Sequence, residues 1–389
     1  MWQALWLLLP LAALSGWWIG RRSSPSESGS PRLPADYFQG LNYLLNEQPD
    51  RAIEVFTRMV EVDSETVETH LTLGNLFRRR GEADRAVRIH QNLIARPSLA
   101  PEQRAAALLE LGRDYLAAGL LDRAETLFIE AMEFPDFRVQ SLQSLLEIYQ
   151  QEGEWDAAIT TAQRLQRADG RDLHTEMAQF ACEQAERLRR QHGEPSAIRQ
   201  ILRRAMHFDR SCVRASLLKA DLEQDEGRWR AAIKACEAVK HQDPDYIPEV
   251  LPRLETAYGA VNDHRGFRQA LTRLLDRQPT VSVILKLSEL IEADDGRESA
   301  VEFLASQLRE RPSVRGLNRL IELNIQDDDM DERRQRDLNV LRELFQALLA
   351  DRLPYRCVSC GFEGRQLHWQ CPSCRGWATI KPRRGLEGE

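Results

Sequence analysis

The sequence lacks the motifs that mark the common catalytic folds. It has no phosphate loop of the G-x-x-x-x-G-K-[ST] type, no G-x-S-x-G elbow, no H-E-x-x-H pair and no dinucleotide fingerprint. Its eight histidines are dispersed, and none stands at ligand spacing from a set of carboxylates. We therefore predict that the protein is not an enzyme.

An excess of positive charge is also lacking, since the formal net charge is −7. This balance gives no general reason to expect nucleic-acid binding. With 42% apolar and 29% charged residues, the chain is too apolar for a disordered protein and too charged for a polytopic membrane protein. The glycine and proline contents are modest and helix-forming residues dominate, which predicts an all-α fold.

Cysteine is scarce and unevenly placed. Cys182, Cys212 and Cys236 are scattered through helical stretches, where buried core thiols are the expected state. The other four cysteines crowd into residues 357–374. An odd total of seven with one tight cluster argues against a secreted disulfide framework, and it predicts a reducing compartment and one metal site.

The first residues predict a membrane anchor. Residues 2–20 carry no charge, and Arg21 and Arg22 end the run. As a helix this run would span about 28 Å, close to the roughly 30 Å of a hydrocarbon core. A cleaved signal peptide is the alternative, but it is disfavoured because the arginines follow the apolar run and do not precede it. We predict an anchor at residues 1–20, a flexible Ser/Pro/Gly-rich tether at residues 21–35, and the bulk of the chain on the cytoplasmic side of the membrane.

Small and aromatic residues recur about every 34 residues after the tether. The recurring positions are Gly40, Tyr43, Ala52 and Phe56; Gly74, Phe77, Ala86 and His90; and Gly112, Tyr115, Ala124 and Phe128. This pattern is typical of paired antiparallel helices that must stack on their neighbours to bury their apolar faces. We predict well-formed repeats at residues 36–170, degenerate repeats of the same superhelix at residues 171–353, and a peptide-binding groove in preference to a spacer.

The four clustered cysteines predict a closed metal site. Cys357, Cys360, Cys371 and Cys374 form two Cys-x-x-Cys knuckles, and two such turns can present four sulfurs to one ion. Four thiolates leave no position for water or substrate, so hydrolytic zinc chemistry is disfavoured. Zinc and iron both suit this donor set, which leaves the metal open.

The metal module is predicted to occupy residues 354–389. The link from the last predicted helix is so short that we expect the module to pack against the end of the superhelix. Lys381, Arg383 and Arg384 make its tail basic, which is expected of a solvated end, with contact to an anionic headgroup or partner as the alternative.

Two resemblances follow from these segments. Residues 71–77 with 83–86, and residues 111–115 with 121–124, resemble the tetratricopeptide-repeat family. The anchor end at residues 20–23, the repeat at residues 70–78 and the knuckles at residues 355–382 resemble the lipopolysaccharide assembly protein B family of Gram-negative bacteria. The second resemblance implies a tetratricopeptide-repeat superhelix with one transmembrane helix and a rubredoxin-type domain. It also implies that the four cysteines bind one iron, with zinc as the alternative.

The second resemblance also implies a function. It implies an inner-membrane adaptor that regulates lipopolysaccharide synthesis by presenting the lipid A committed-step deacetylase to a membrane AAA+ protease. Other inner-membrane proteins of lipopolysaccharide synthesis are implied as partners. Two alternatives stay open: a scaffold that gathers synthesis enzymes without proteolysis, and a redox protein that uses an iron Cys₄ centre.

Overall fold

The computed structural model describes residues 35–46, 48–62, 67–325, 332–350, 352–385 and 388. The predicted anchor lies outside these residues, as does the predicted tether apart from Ala35, with which the first helix begins. Among the described helices, none has both the length and the apolar character that a bilayer crossing requires.

The chain divides into two compact units, residues 1–141 and 142–389. The described helices of the first unit are α1 (Ala35–Leu45), α2 (Pro49–Val62), α3 (Val67–Arg79), α4 (Ala83–Ile94), α5 (Pro101–Ala117), α6 (Leu121–Ala131) and the start of α7 (Pro135–Glu152). We call the odd-numbered helices A helices and the even-numbered ones B helices, since each A helix pairs with the B helix that follows it.

The second unit continues the same alternation and ends in a small sheet. Its helices are the rest of α7, α8 (Trp155–Asp169), α9 (His174–Arg190), α10 (Pro195–Phe208), α11 (Val213–Asp225), α12 (Trp229–Gln242), α13 (Ile247–Ala260), α14 (His264–Arg277), α15 (Val281–Asp295), α16 (Arg297–Glu310), α17 (Val314–Ile325) and α18 (Glu332–Ala350). A 3₁₀ turn at Pro244–Tyr246 precedes α13. Three strands follow: β1 (Tyr355–Cys357), β2 (Glu363–Gly364) and β3 (Ile380–Pro382).

The recurring glycines let each A helix approach its B helix closely. A Cβ atom added to Gly40 would lie 2.6 Å from the ring of Phe56, and one added to Gly112 would lie 2.7 Å from the ring of Phe128. Phe56 and Phe128 are fully buried. The residues that recur in the sequence are therefore the two sides of one packing contact, which confirms the predicted helix-pair repeat.

The turn between an A and a B helix needs one residue with a left-handed backbone. Gly81 provides it between α3 and α4, with φ of 85°. The N–H of Gly81 donates to the carbonyl of Arg78, and the next N–H, that of Glu82, donates to the carbonyl of Phe77. In the weaker repeats, His192 and Asn262 take the same place, with φ of 54° and 55°. The helix pairs continue there although the glycine signature is lost.

A buried polar network joins two repeats of the first unit. His90 occupies the position that Phe56 and Phe128 hold in other repeats, and its Nδ1 lies 2.5 Å from Oδ2 of Asp114 on α5. Arg78 on α3 donates to the other oxygen of Asp114 across 2.7 Å. The side chains of His90 and Asp114 are fully buried. A polar side chain is tolerated at this core position because the next repeat supplies its partner.

Candidate metal centre and its attachment to the helices

A three-stranded antiparallel sheet organises the predicted metal module. Strand β1 lies in the middle, with β2 and β3 on either side. Arg356 of β1 is opposite Glu363 of β2 and Lys381 of β3. Because β1 ends at Cys357, this pairing fixes the backbone from which the first knuckle projects.

The two knuckles have the same backbone hydrogen bonds. In the first, the N–H of Gly361 donates to the carbonyl of Cys357 across 3.0 Å. In the second, the N–H of Arg375 donates to the carbonyl of Cys371 across 2.9 Å. Each knuckle closes with a left-handed residue, with φ of 79° for Gly361 and 58° for Arg375. Glycine adopts this conformation without a steric penalty, and Arg375 plays the same part in the second knuckle with a side chain attached.

The structure brings the sulfurs of all four predicted ligands together. The four Sγ atoms lie within 4.8 Å of one another. The Sγ of Cys357 is 3.8 Å from that of Cys374, and the Sγ of Cys360 is 3.7 Å from that of Cys371. A regular tetrahedron with metal–sulfur bonds of about 2.3 Å requires sulfur–sulfur separations of about 3.8 Å. The donor set fits a tetrahedral ion in both chemistry and spacing.

The sulfurs differ in their surroundings. Burial disfavours a charged thiolate at Cys357, but hydrogen bonds from the Thr379 hydroxyl and from backbone N–H groups outweigh it and lower the pKa of Cys357 to about 6. The pKa of Cys374 is raised to about 11: a backbone N–H of Gly376 favours its thiolate, whereas burial and the three neighbouring cysteines oppose it. Four thiolates so close together repel one another, and a bound cation relieves this repulsion. Zinc would supply a cross-link alone, and iron would add one-electron chemistry.

Trp377 fastens the second knuckle to the helices. Its indole Nε1–H donates to Oε1 of Gln150 on α7 across 3.0 Å. The ring meets Phe180 of α9 edge-on at a centroid distance of 5.7 Å, and it meets Trp155 of α8 at 6.4 Å. Next to it, Arg375 forms an ion pair of 3.1 Å with Glu147. The module is thus held by the first A helices of the second unit.

Trp369, between the knuckles, makes a second attachment. Its ring stacks on Tyr246 with centroids 5.5 Å apart, and the guanidinium of Arg214 on α11 lies 5.8 Å from its centroid. The hydroxyl of Tyr246 donates to the carbonyl of Ile380 across 2.8 Å. Burial raises the pKa of the Tyr246 phenol, so the hydroxyl remains protonated and able to donate.

Strands β1 and β3 make a third attachment, which is polar. Lys381 pairs with Asp243 at 2.7 Å and with Asp245 at 2.9 Å, beside the 3₁₀ turn. The hydroxyl of Tyr355 donates to Oε1 of Glu249 on α13 across 2.5 Å. The three attachments together span four successive A helices, from α7 to α13.

These contacts change two of the sequence-based expectations. The module does pack against the helices, but the contacts described above lie on α7 to α13, because its two tryptophans find aromatic partners there. Lys381 does not belong to a solvated end, since its side chain is largely covered and pairs with Asp243 and Asp245, whereas Arg384 contacts Asp245 but stays mostly exposed. The docking roles of Trp369 and Trp377 were missed; two tryptophans in so small a module were the available signal, since such a module cannot bury both rings itself.

The remaining cysteines are buried among the helices, as predicted. Cys182 of α9 and Cys212, which precedes α11, place their Sγ atoms 3.8 Å apart. Cys236 lies on α12, and burial raises the pKa of its thiol to about 12. None of these thiols belongs to the described cluster of four sulfurs formed by Cys357, Cys360, Cys371 and Cys374.

Comparison with known proteins agrees with the division of the chain into helix-pair repeats and a C-terminal metal module. Residues 355–382 match the family described as "Rubredoxin metal binding domain", and residues 69–105 match "Tetratricopeptide repeat". The chain is 39% identical to lipopolysaccharide assembly protein B of Escherichia coli (strain K12) over 393 residues, which cover 100% of both chains. It is also 39% identical to the protein of that name from Haemophilus influenzae (strain ATCC 51907 / DSM 11121 / KW20 / Rd), with 98% of each chain covered. The similarity covers the whole length of the chain, and the chain belongs to the lipopolysaccharide assembly protein B family.

Proposed function

We propose that this protein is an inner-membrane adaptor that regulates lipopolysaccharide synthesis. In this proposal it brings the lipid A committed-step deacetylase to a membrane AAA+ protease and performs no chemistry itself. The bulk of the chain faces the cytoplasm, and residues 1–20 anchor it beside the protease. Other inner-membrane proteins of lipopolysaccharide synthesis are its further partners.

The observation that carries the proposal is the attachment of the metal module to four successive A helices. Solenoids of helix pairs bind partners along such surfaces, and the surface is useful only if its curvature is fixed. The contacts of Trp377 with α7 to α9 and of Trp369 with α11 and the 3₁₀ turn fix the helices relative to one another. The module therefore acts as a brace, and the metal would act by holding the brace folded.

The predicted anchor supports the proposal because it would raise the effective concentration of the protein near a membrane protease. A binding partner confined to the membrane plane meets a membrane protease at a higher effective concentration than a free protein does. The same binding surface then needs less intrinsic affinity for each partner.

The proposal is tested by measuring the half-life of the deacetylase in cells that carry the wild-type chain, Trp377→Ala or Trp377→Phe. We expect the deacetylase to be stabilised in cells with Trp377→Ala, because the brace is loosened, and to be degraded nearly normally with Trp377→Phe, which keeps an aromatic ring. Equal half-lives in cells with and without the protein would refute the role in proteolysis and would favour the scaffold alternative.

A second candidate, a redox protein, is favoured by one observation. Cys360 and Cys374 are exposed whereas Cys357 and Cys371 are buried, so one side of the sulfur cluster faces solvent. An electron carrier needs such an exposed edge. Metal analysis of the protein purified from its native host, followed by a reductive titration, separates the two functions: zinc, or iron without reversible reduction, removes the redox candidate.

A further inference from the structure

Charge in the second unit is divided unequally between A and B helices. The B helices α10, α12 and α14 together contain ten arginines and lysines and two acidic residues. The A helices that alternate with them, α11, α13 and α15, contain four basic and nine acidic residues. Because the whole chain has a net charge of −7, this excess of positive charge is local to three successive B helices.

Most of the positive charge on α12 and α14 is not neutralised by an ion pair. Arg268 of α14 is the exception, since it pairs with Asp294 and Asp295 of α15. The only acidic residues of the two helices are Glu237 and Asp276. Five of the other six cationic side chains are exposed, and that of Lys240 is half-buried. We call these six residues, which form no ion pair within the described part of the chain, the basic face: Arg230, Lys234, Lys240, Arg265, Arg273 and Arg277.

Acidic residues of the neighbouring A helices are already paired. Asp221 of α11 pairs with Arg253 of α13 at 2.6 Å. Glu255 of α13 pairs with Lys286 of α15 at 3.1 Å. These ion pairs join one A helix to the next and do not involve the basic face, which therefore retains its positive charge.

Helices α12 and α14 adjoin each other at this face. Lys240 of α12 lines the same cavity of about 240 Å³ as Arg273 and Arg277 of α14, with α13 between the two helices. Arg230 and Lys234 are four residues apart, as are Arg273 and Arg277, so each pair lies on one side of its helix. Both helices have 14 residues and are about 21 Å long. The basic face is therefore a broad surface and not a single pocket.

A broad field of unpaired cationic groups fits a surface that carries many anionic groups. Anionic phospholipids on the cytoplasmic side of a membrane form such a surface, and their phosphates accept paired hydrogen bonds from arginine. A modest electrostatic contact is sufficient for a protein that is already anchored, because the anchor supplies a high effective concentration. An acidic segment of another protein is the alternative partner, and the experiment separates the two.

We propose that the basic face of α12 and α14 lies against anionic phospholipid headgroups of the membrane that anchors the protein. Its six cationic side chains contact lipid phosphates and orient the second unit on the membrane surface. The inference rests on the proposed membrane anchor and adds to it a second point of contact. It does not depend on which proteins the adaptor brings together.

The test is lysine labelling of the full-length chain in lipid nanodiscs. The sequence has five lysines, and two of them, Lys234 and Lys240, belong to the basic face. The uncharged reagent N-succinimidyl acetate is added to nanodiscs of phosphatidylcholine, with or without an equal part of phosphatidylglycerol, and mass spectrometry follows each lysine. We expect both lysines to react about threefold or more slowly in the anionic discs, and about 1 M salt to remove the difference by screening. Lys219 of α11 is the internal reference and should react equally in both discs.

Two double variants provide the matched comparison. Arg273→Gln with Arg277→Gln removes two charges of the basic face and should bring the labelling of Lys240 in anionic discs to within about twofold of its rate in neutral discs. Arg79→Gln with Arg88→Gln removes two exposed arginines of the first unit and should leave the protection unchanged. Thermal unfolding confirms that each variant is folded.

Equal labelling of Lys234 and Lys240 in the two kinds of disc would overturn the proposal. Stronger protection by soluble polyglutamate in neutral discs than by anionic lipid would also overturn it, in favour of an acidic protein partner. Failure of the chain to enter discs of either composition would contradict the membrane anchor and, with it, this contact. Because neither deacetylase nor protease is present, the outcome is separate from that of the half-life experiment.

Discussion

Trp377 of the metal module and Gln150 of α7 share a hydrogen bond of 3.0 Å although 227 residues separate them in the chain. The bond is directional, since the indole N–H can only donate and must find an acceptor when its ring is covered. Gln150 supplies that acceptor from the same helix whose Glu147 pairs with Arg375. One turn of α7 thus binds the second knuckle through a hydrogen bond and an ion pair.

The first prediction concerns this contact. Trp377→Ala should lower the free energy of unfolding by about 2 kcal/mol, less than a fully buried tryptophan would cost, because the ring is only half-buried. Limited proteolysis should then release fragments cut between α18 and the second knuckle. Denaturant unfolding and a proteolysis time course measure the two effects.

Trp377→Phe is the matched control for that substitution. It keeps ring contacts with Phe180 and loses only the hydrogen bond to Gln150, so it should cost about 1 kcal/mol. Equal stability of all three proteins would show that the docking contact contributes nothing.

The second prediction concerns the metal. Replacing Cys357 and Cys360 by serine should abolish stoichiometric metal binding and unfold the module. Metal ligation contributes on the order of 10–16 kcal/mol to the folding free energy of domains of this kind. Metal content by mass spectrometry and protease sensitivity of residues 355–385 are the measurements. Ser359→Ala, an exposed change inside the same knuckle, should retain the metal. A folded, protease-resistant module without metal would contradict the prediction.

The third prediction concerns the buried network of the first unit. Asp114→Ala removes the partner of His90 and one of the partners of Arg78, which also pairs with Glu110. It should lower the free energy of unfolding by about 3 kcal/mol, since it leaves the buried imidazole of His90 without its partner. Asp122→Ala, an exposed change on α6, should cost about 0.5 kcal/mol. Chemical denaturation of the two variants compares these values; a similar loss in both would show that the network is not stabilising.

The fourth prediction concerns pH. Burial, assisted by the charge of Asp172, raises the pKa of Glu176 in the first turn of α9 above its ordinary value of 4.5. Between the unfolded and folded pKa values the folded state binds more protons, so this group lowers stability as pH rises through that window. Glu176→Gln should therefore raise the free energy of unfolding at pH 7 by about 0.5 kcal/mol.

The same substitution should have no stabilising effect below pH 4, where Glu176 is protonated in both states. Denaturant unfolding at the two pH values provides the comparison. A gain that is the same at both values would show that the effect does not arise from ionisation of this carboxyl.

The repeat architecture could be predicted because its contacts are local. Gly112 and Phe128 lie 16 residues apart, within one helix pair, so spacing alone identified the contact that the structure confirms. His90 could be placed by the same spacing, but its partner Asp114 comes from the following repeat and has no fixed signature. In the weaker repeats the signature glycine is replaced by His192 and Asn262, which adopt the left-handed turn at some cost.

The four cysteines could also be predicted together, because each knuckle is a short local motif. The attachment of the module to the helices could not be predicted from the sequence. Its contacts join residues separated by more than a hundred positions, such as Tyr246 with Ile380, and no periodicity links them. From the sequence alone the charge of Lys381 is expected at a solvated end, because its partners Asp243 and Asp245 lie more than a hundred residues away in the chain.

Arg375 has a consequence for how the two knuckles tolerate change. It adopts the backbone conformation that Gly361 adopts without penalty, and for a residue with a side chain this costs about 1 kcal/mol. Its exposed ion pair with Glu147 returns less than that. Arg375→Gly should therefore relax the loop while it removes a link to the helices. At this position glycine would favour the left-handed turn of the knuckle, whereas arginine favours the attachment of the module to the helices.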